Sequence, residues 1–376
     1  MTNPTSRLLL KQFAGNNRNQ IDEKIEPVVS LYDLSLAELT EFCAELGERP
    51  FRARQLYAWL YGKGINDFTL MTDVPASARE KLMSVSCTDG MTLLEARSSK
   101  DRQTTKYLFE TDDGNCIETV FMKYKERNSI CISTQAGCRM GCRFCASGSF
   151  GLTRNLTPSE MALQVILAER EIGVKTKNIV LMGIGEPLDN YENVKKFIEN
   201  ITDDHGRDLS KRAITLSTCG LVPGIKRLAE ELPQVNLAVS LHAPNDKLRM
   251  NIIPVTKKYG VKDIIEATGK HFAATHRRST FEYALIEGFN DRKEHAAELA
   301  SLLHGMNCIV NLIPLNGAEQ AGEVSVFRGS SAETAERFRE ELGRRHIPST
   351  VRRSLGADIE AACGQLRLRK SLQQSK

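Results

Sequence analysis

The sequence predicts an α/β protein: a six-stranded parallel sheet, either open or a barrel, a small helical domain before it, and a few extra antiparallel strands between the two. Three observations predict it. Between residues 130 and 345, short β-branched runs alternate with amphipathic helical stretches six times, the pattern of a parallel sheet with right-handed crossovers. Residues 33–84 carry helical periodicity, and residues 91–122 alternate with period two. The expected division is a loose leader (1–28), a helical domain (29–90), accessory strands (91–127), the parallel-sheet domain (128–350) and a basic C-terminal segment (351–376).

The polar leader contains Gly15-Asn-Asn-Arg-Asn-Gln20, a composition that buries little. In the helical domain, Asp33-Leu-Ser-Leu-Ala-Glu-Leu has helical spacing behind a capping residue. A second helix follows Pro50 and carries the only Trp; a third starts at Pro75. Arg52, Arg54 and Lys63 are its candidates for nucleic-acid contact, against the plainer reading of a solvated helix face. The accessory strands are 91–97, 105–109 and 115–122, the last two joined by the turn Asp112-Asp-Gly-Asn115. Barrel strands are expected at 130–134, 178–184, 213–218, 235–242, 281–287 and 308–314. The helices fall at 157–172, 191–201, 222–231, 261–274, 291–304 and 331–345.

The chain has 376 residues, 41% hydrophobic and 26% charged, ordinary for a globular protein with a sizeable core. Apolar runs such as 179–184 are far too short to span a bilayer, and Lys11 cuts short the Leu8-Leu-Leu10 run, so no membrane partner and a cytoplasmic location are expected. Ten cysteines then read as metal-binding or redox-active rather than as a disulfide framework. Net charge is only +4, but seven Arg or Lys between 344 and 370 face only Asp358 and Glu360, which suits an anionic partner.

Three of the cysteines, Cys138, Cys142 and Cys145, form a C-x3-C-x2-C loop directly after the first barrel strand. Thiolates so close repel one another unless a metal neutralises them, and three soft ligands suit an iron–sulfur cluster or zinc. The next His or Cys is His205, so the site is one ligand short: either a metal position is open for chemistry, or a distant residue completes a structural zinc site. The other strand ends carry small or polar residues: Gly185-Glu186-Pro187 with the carboxylate expected to point outward, Ser217-Thr-Cys-Gly220, Ser240-Leu241-His242 and Pro314-Leu-Asn316. Such loops are where a parallel barrel does chemistry.

Cys-x3-Cys-x-Phe-Cys after the first strand resembles the radical S-adenosylmethionine (SAM) superfamily. Cys131-Ile-Ser-Thr-Gln-Ala-Gly-Cys138, Arg154-Asn-Leu156, Gly185-Glu-Pro-Leu-Asp-Asn190, Ser240-Leu-His-Ala243 and Asp358-Ile-Glu-Ala-Ala-Cys-Gly-Gln-Leu366 narrow the likeness to the RlmN family of dual-specificity adenine-C2 RNA methyltransferases. The match runs from about residue 33 to 370. It implies a partial (β/α)6 radical-SAM barrel behind an RNA-contacting helical domain, with a [4Fe-4S] cluster on Cys138, Cys142 and Cys145. SAM would chelate the open iron, lined by Gly185, Glu186, Ser217, Ser240, Leu241, His242 and Asn316. It implies two SAM molecules per turnover, one methylating Cys363 and one starting the radical chemistry that joins this carbon to adenine C2. Glu118 would accept a proton, and Cys131 would release the product by forming a transient disulfide with Cys363. It implies 23S rRNA and tRNA as partners and a flavodoxin-type electron donor; a monomer is expected.

Read without that likeness, Cys363 is a small buried side chain, Cys131 a core residue and Glu118 a solvent-facing strand carboxylate. Cys43, Cys87, Cys116, Cys219 and Cys308 are assigned to packing. Three rival functions remain: a sister enzyme methylating C8 of the same adenosine, a radical-SAM enzyme acting on a peptide or metabolite, and a zinc-stabilised RNA-binding module.

Overall fold

The computed structural model describes residues 28–125, 127–145, 147–148, 151–315, 327–352 and 359. The leader, Asn316, Cys363 and nearly all of the basic C-terminal segment lie outside the described residues. The chain divides into two compact units, Met1–Gly90 with Glu199–Asp208, and Met91–Ile198 with Leu209–Lys376.

The first unit holds β1 (Val29–Ser30), α1 (Leu36–Glu45), α2 (Phe51–Tyr57), α3 (Ala76–Val85) and β2 (Ser86–Cys87), with β1 and β2 paired in parallel. Helix α1 starts where the sequence places a cap: Ser35 accepts from Glu38 N while the Glu38 carboxylate takes Ser35 N, a reciprocal capping box. The core is aromatic. Tyr61 stands edge-on to Tyr32, with centroids 5.3 Å apart, and packs against Tyr57. Asn200, from the segment that joins this unit late in the chain, caps the assembly by donating to Leu34 O at 3.2 Å and accepting from the Tyr57 hydroxyl at its own carbonyl. Of the predicted nucleic-acid contacts, Arg52 is taken out of play: it is buried and bonded to Gln55 and the Asp73 carbonyl. Arg54 and Lys63 remain exposed.

The second unit is built on one ten-stranded sheet. Its parallel part is β6 (Asn128–Cys131), β9 (Asn178–Leu181), β10 (Ile214–Thr218), β11 (Asn236–Ser240), β12 (Ser279–Leu285), β13 (Cys308–Pro314) and the short β14 (Ser349–Val351), in that spatial order. The six predicted barrel strands all form; β14, three residues long, falls below what periodicity reveals. The accessory strands β3 (Met91–Ser98), β4 (Thr104–Thr111) and β5 (Cys116–Lys123) continue the same sheet, antiparallel, through β5 against β6. The sheet runs from β3 to β14 and does not close on itself, a partial barrel. A separate ribbon pairs β7 (Gln135–Gly137) with β8 (Leu152–Asn155) around the cysteine loop.

Helices α4 (Pro158–Ile172), α5 (Tyr191–Ile201), α6 (Val222–Glu231), α8 (Val261–Thr275), α9 (Lys293–Leu302) and α10 (Ala332–Arg344) match the predicted set; α7 (Asp246–Ile252) is additional. The ends of α4 are legible in sequence: Thr157 caps it, Pro158 opens it, and Gly173 ends it at φ +70°. Inside the parallel sheet, β-branched and leucyl side chains of β9–β13 form the buried core, with Ile179, Leu216, Leu237, Phe281 and Val310 fully covered. Among the described residues no helix is long and apolar enough to cross a membrane.

Candidate active site

A cavity of about 290 Å³ opens at the C-terminal ends of the parallel strands, lined by the three cysteines of the loop, residues 181–183, 185–186 and 217–219, Ser240, His242, Glu282, Ile313 and Arg352. Local sequence places these residues there. Gly137 sits at φ +81° with a virtual Cβ 2.1 Å from the Gly151 carbonyl, so only glycine lets β7 turn into the loop. Gly185 (φ +108°) is likewise demanded by the Gln135 side chain, whose Oε1 accepts from Glu186 N at 2.9 Å. The loop then leans on α7: Arg143 N donates to Ile252 O, and Met140, Cys142 and Phe144 pack on Ile252, Ile253 and Cys219. The Phe144 ring meets His242 edge-on at 4.9 Å.

The donor set fits an iron–sulfur cluster. Burial pushes the Cys138 thiol up to about 12, and burial together with its cysteine neighbours drives Cys142 higher still, so the loop needs a cation to hold thiolates. Three soft thiolate donors on one loop, facing an open cavity, suit an iron–sulfur cluster with one position left for a further ligand.

Glu186 departs from expectation. Its carboxylate does not point outward but is 3% exposed in the cavity wall, accepting from Cys219 N at 2.7 Å and Leu188 N at 3.1 Å, and burial raises its pKa. The cause is local: Glu186 caps the 3-10 turn Pro187–Asn190 and is folded back onto it. Ser217 and Ser240 face each other from adjacent strands, Oγ to Oγ 3.4 Å. Leu241 does not line the cavity; it is fully buried in the core and contributes backbone only.

His242 adopts φ +58°, and its Nδ1 accepts from Ala284 N at 2.8 Å. Burial pushes it down to about 3, so the ring is neutral. Above pH 6.5 it is uncharged in both folded and unfolded chains; below, the unfolded chain takes up a proton that the folded chain refuses. Unfolding free energy should therefore fall by about 1 kcal/mol from this group between pH 6.5 and 5.5. Denaturant titrations of the wild type and His242→Gln check this: the variant should lack that part of the acid slope.

Away from the loop, Cys131 ends β6, half-buried, opposite Val120 on β5 and Val180 on β9. Burial pushes its thiol up to about 11, with Arg352 acting against this; the thiol bonds the Met182 backbone. Arg352 and Met182 both line the cavity, so Cys131 lies beside it. Glu118 shares the Cys131 face, two residues from Val120. It is not solvent-facing: it is 3% exposed and pairs with the fully buried Lys106 of the neighbouring strand β4, Nζ to Oε1 3.4 Å.

Several cavity residues escape sequence reasoning. Cys219, expected only to pack, forms part of the wall. Glu282 accepts from Asn311 Nδ2 at 2.8 Å; a carboxylate inside the apolar run of β12 was the available signal. Arg352 follows β14, and Arg249 of α7 lies behind the loop; no motif pointed to either.

Two family models match the chain: the ribosomal RNA large subunit methyltransferase N-terminal domain over residues 29–88, and the radical SAM superfamily over residues 132–300. A relative from Caldanaerobacter subterraneus named "Probable dual-specificity RNA methyltransferase RlmN" is 48% identical over 338 residues, covering 90% of this chain and 97% of its own. One of the same name from Desulforamulus reducens is 46% identical over 94% of this chain and 98% of its own. The crystal structure of a radical SAM methyltransferase from Sphaerobacter thermophilus superposes with TM-score 0.86 at 46% identity, over 90% of this chain and 99% of that one. The superfamily implies a [4Fe-4S] cluster and SAM, which the three thiols and the cavity suit. The chain belongs to the RlmN family of radical SAM RNA methyltransferases.

Proposed function

We propose that the protein methylates C2 of adenosine, both at one position in the peptidyl-transferase region of 23S rRNA and at adenosine 37 of tRNAs. Cys138, Cys142 and Cys145 hold the cluster, and Gly185, Glu186, Ser217, Ser240, His242 and Asn316 hold SAM, with Glu186 taking its ammonium group. The cluster and SAM, when bound, supply the methyl group and the radical that activates it.

The observation that carries this reading is Cys131, a free thiol off the cluster loop yet beside the cavity and on the same face as a buried carboxylate. Such a thiol lies off the cluster loop and supports a role in resolving a covalent intermediate. Cys363 carries the methyl carbon as a thioether; that carbon, having given up a hydrogen atom to the radical, bonds to C2 of the base, and the surplus electron passes to a one-electron acceptor, a role the cluster would fill. Glu118 then takes the C2 proton, held in place by Lys106. The Cys131 thiolate attacks the Cys363 sulfur; the C–S bond breaks, its electron pair goes to the carbon, which takes a proton to complete the methyl group, and a Cys131–Cys363 disulfide remains. An external thiol reductant restores both cysteines. The base must leave its stack to enter the cavity, so the target is an adenosine in a loop. Arg54, Lys63 and the basic C-terminal segment grip its phosphates.

Mass spectrometry of product RNA tests the reading. 2-Methyladenosine is expected; 8-methyladenosine would assign the sister activity, and unmodified RNA with a modified peptide or metabolite would overturn RNA methylation altogether.

A further inference from the structure

Arg249 is fully buried on α7, and nothing in the reading above uses it. Four of its five N–H groups are satisfied. Nε donates to Leu241 O at 3.0 Å, Nη1 to Thr256 Oγ1 at 2.7 Å, and Nη2 to Ser240 O at 3.1 Å and to Cys219 O. Every acceptor is neutral. The nearest acid on its own helix, Asp246, spends Oδ1 on Val261 N, and among the described residues no carboxylate forms an ion pair with Arg249. A buried guanidinium without an anion is costly and persists where something else supplies the negative charge.

Its surroundings identify the source. The carbonyls it binds belong to the strand ends beside the cavity, and the helix that carries it ends at Ile252, whose carbonyl accepts from Arg143 N inside the cysteine loop. Besides Asp246, the groups whose charge acts on Arg249 are the thiols of Cys219 and Cys142. A cluster held by three thiolates is anionic, and one-electron reduction makes it more so.

We propose that Arg249 is the internal countercharge of the iron–sulfur site, a positioning residue that favours the reduced cluster and ties two strand ends to the cysteine loop. The inference rests on the assignment of the cluster to Cys138, Cys142 and Cys145. Because the positive charge acts more strongly on the reduced, more negative cluster, removing it makes reduction harder, whereas a residue serving only as a hydrogen-bond hub would affect retention of the cluster and not its potential.

The test is an anaerobic redox titration of the full-length, cluster-loaded protein without SAM, read by electron paramagnetic resonance beside iron content and far-UV circular dichroism. Arg249→Gln should lower the reduced-to-oxidised ratio at a fixed potential by about tenfold or more, a midpoint at least about 59 mV lower for a one-electron couple. Arg249→Lys keeps the charge but cannot span four acceptors, so it should keep the wild-type midpoint even if it loses some iron. A wild-type midpoint in Arg249→Gln, or an equal fall in both variants, overturns the proposal. Should Arg249→Gln not fold, the lysine variant decides alone: an unchanged midpoint supports the countercharge and a lowered one overturns it. Wild-type protein that binds no iron would instead overturn the cluster assignment beneath it.

Discussion

Cys131→Ala protein given SAM, reductant and substrate RNA should stop after a single turnover, covalently joined to the RNA through Cys363. If the carbon reaches C2 while still bonded to the Cys363 sulfur, release requires a second sulfur nucleophile, and Cys131 is a free thiol beside the cavity on the strand face of Glu118. Denaturing gel electrophoresis should show a slow band carrying both protein and RNA, and tandem mass spectrometry should place the link on Cys363. Cys363→Ala should yield neither link nor methylated RNA, because the first carbon acceptor is gone. Repeated turnover by Cys131→Ala with no link would exclude the two-cysteine route. The wild-type rate of release should also rise with pH from 7 towards 10, since burial pushes the attacking thiol up to about 11 and its thiolate is scarce at neutral pH.

Replacing any one of the loop thiols, Cys142→Ala for instance, should cost the bound metal. Anaerobically purified wild-type protein is expected to be brown with about four irons per chain, and the variant nearly colourless with most of that iron lost. Activity should vanish with it. The fold should persist, because the loop rests on Ile252, Ile253 and the β7–β8 ribbon, none of which needs the metal for its hydrogen bonds. Iron content, absorbance and circular dichroism together check this. A colourless wild-type protein containing zinc would return the site to the structural alternative.

Much of the architecture was legible because it is encoded locally. The barrel strands β6 and β9–β13 announce themselves as β-branched runs, and α4, α6 and α8 as amphipathic stretches, α4 with its cap and closing glycine as well. The cysteine loop needs no tertiary information, since three soft ligands within eight residues have few other uses. Where the reading failed, it failed on burial. Period two shows that Glu118 and Val120 share a face, but not that this face is covered once β4 and β5 extend the sheet. Arg52 looks like a surface cation on an amphipathic helix until Gln55 and the Asp73 carbonyl are seen to engage it.

By itself, then, the sequence determined which elements form, in what order, and that three thiols meet on the loop after the first barrel strand, because dihedral preferences, caps and hydrophobic period act over a few residues. Tertiary structure decided which polar groups are enclosed. It turned Glu186 back into the cavity wall, set Lys106 against Glu118, brought Cys131 beside Met182 and Arg352, and buried Arg249 among carbonyls from two strand ends. Those outcomes depend on contacts between different strands, helices and loops, and whether a charge is solvated or enclosed depends on the neighbours those contacts supply.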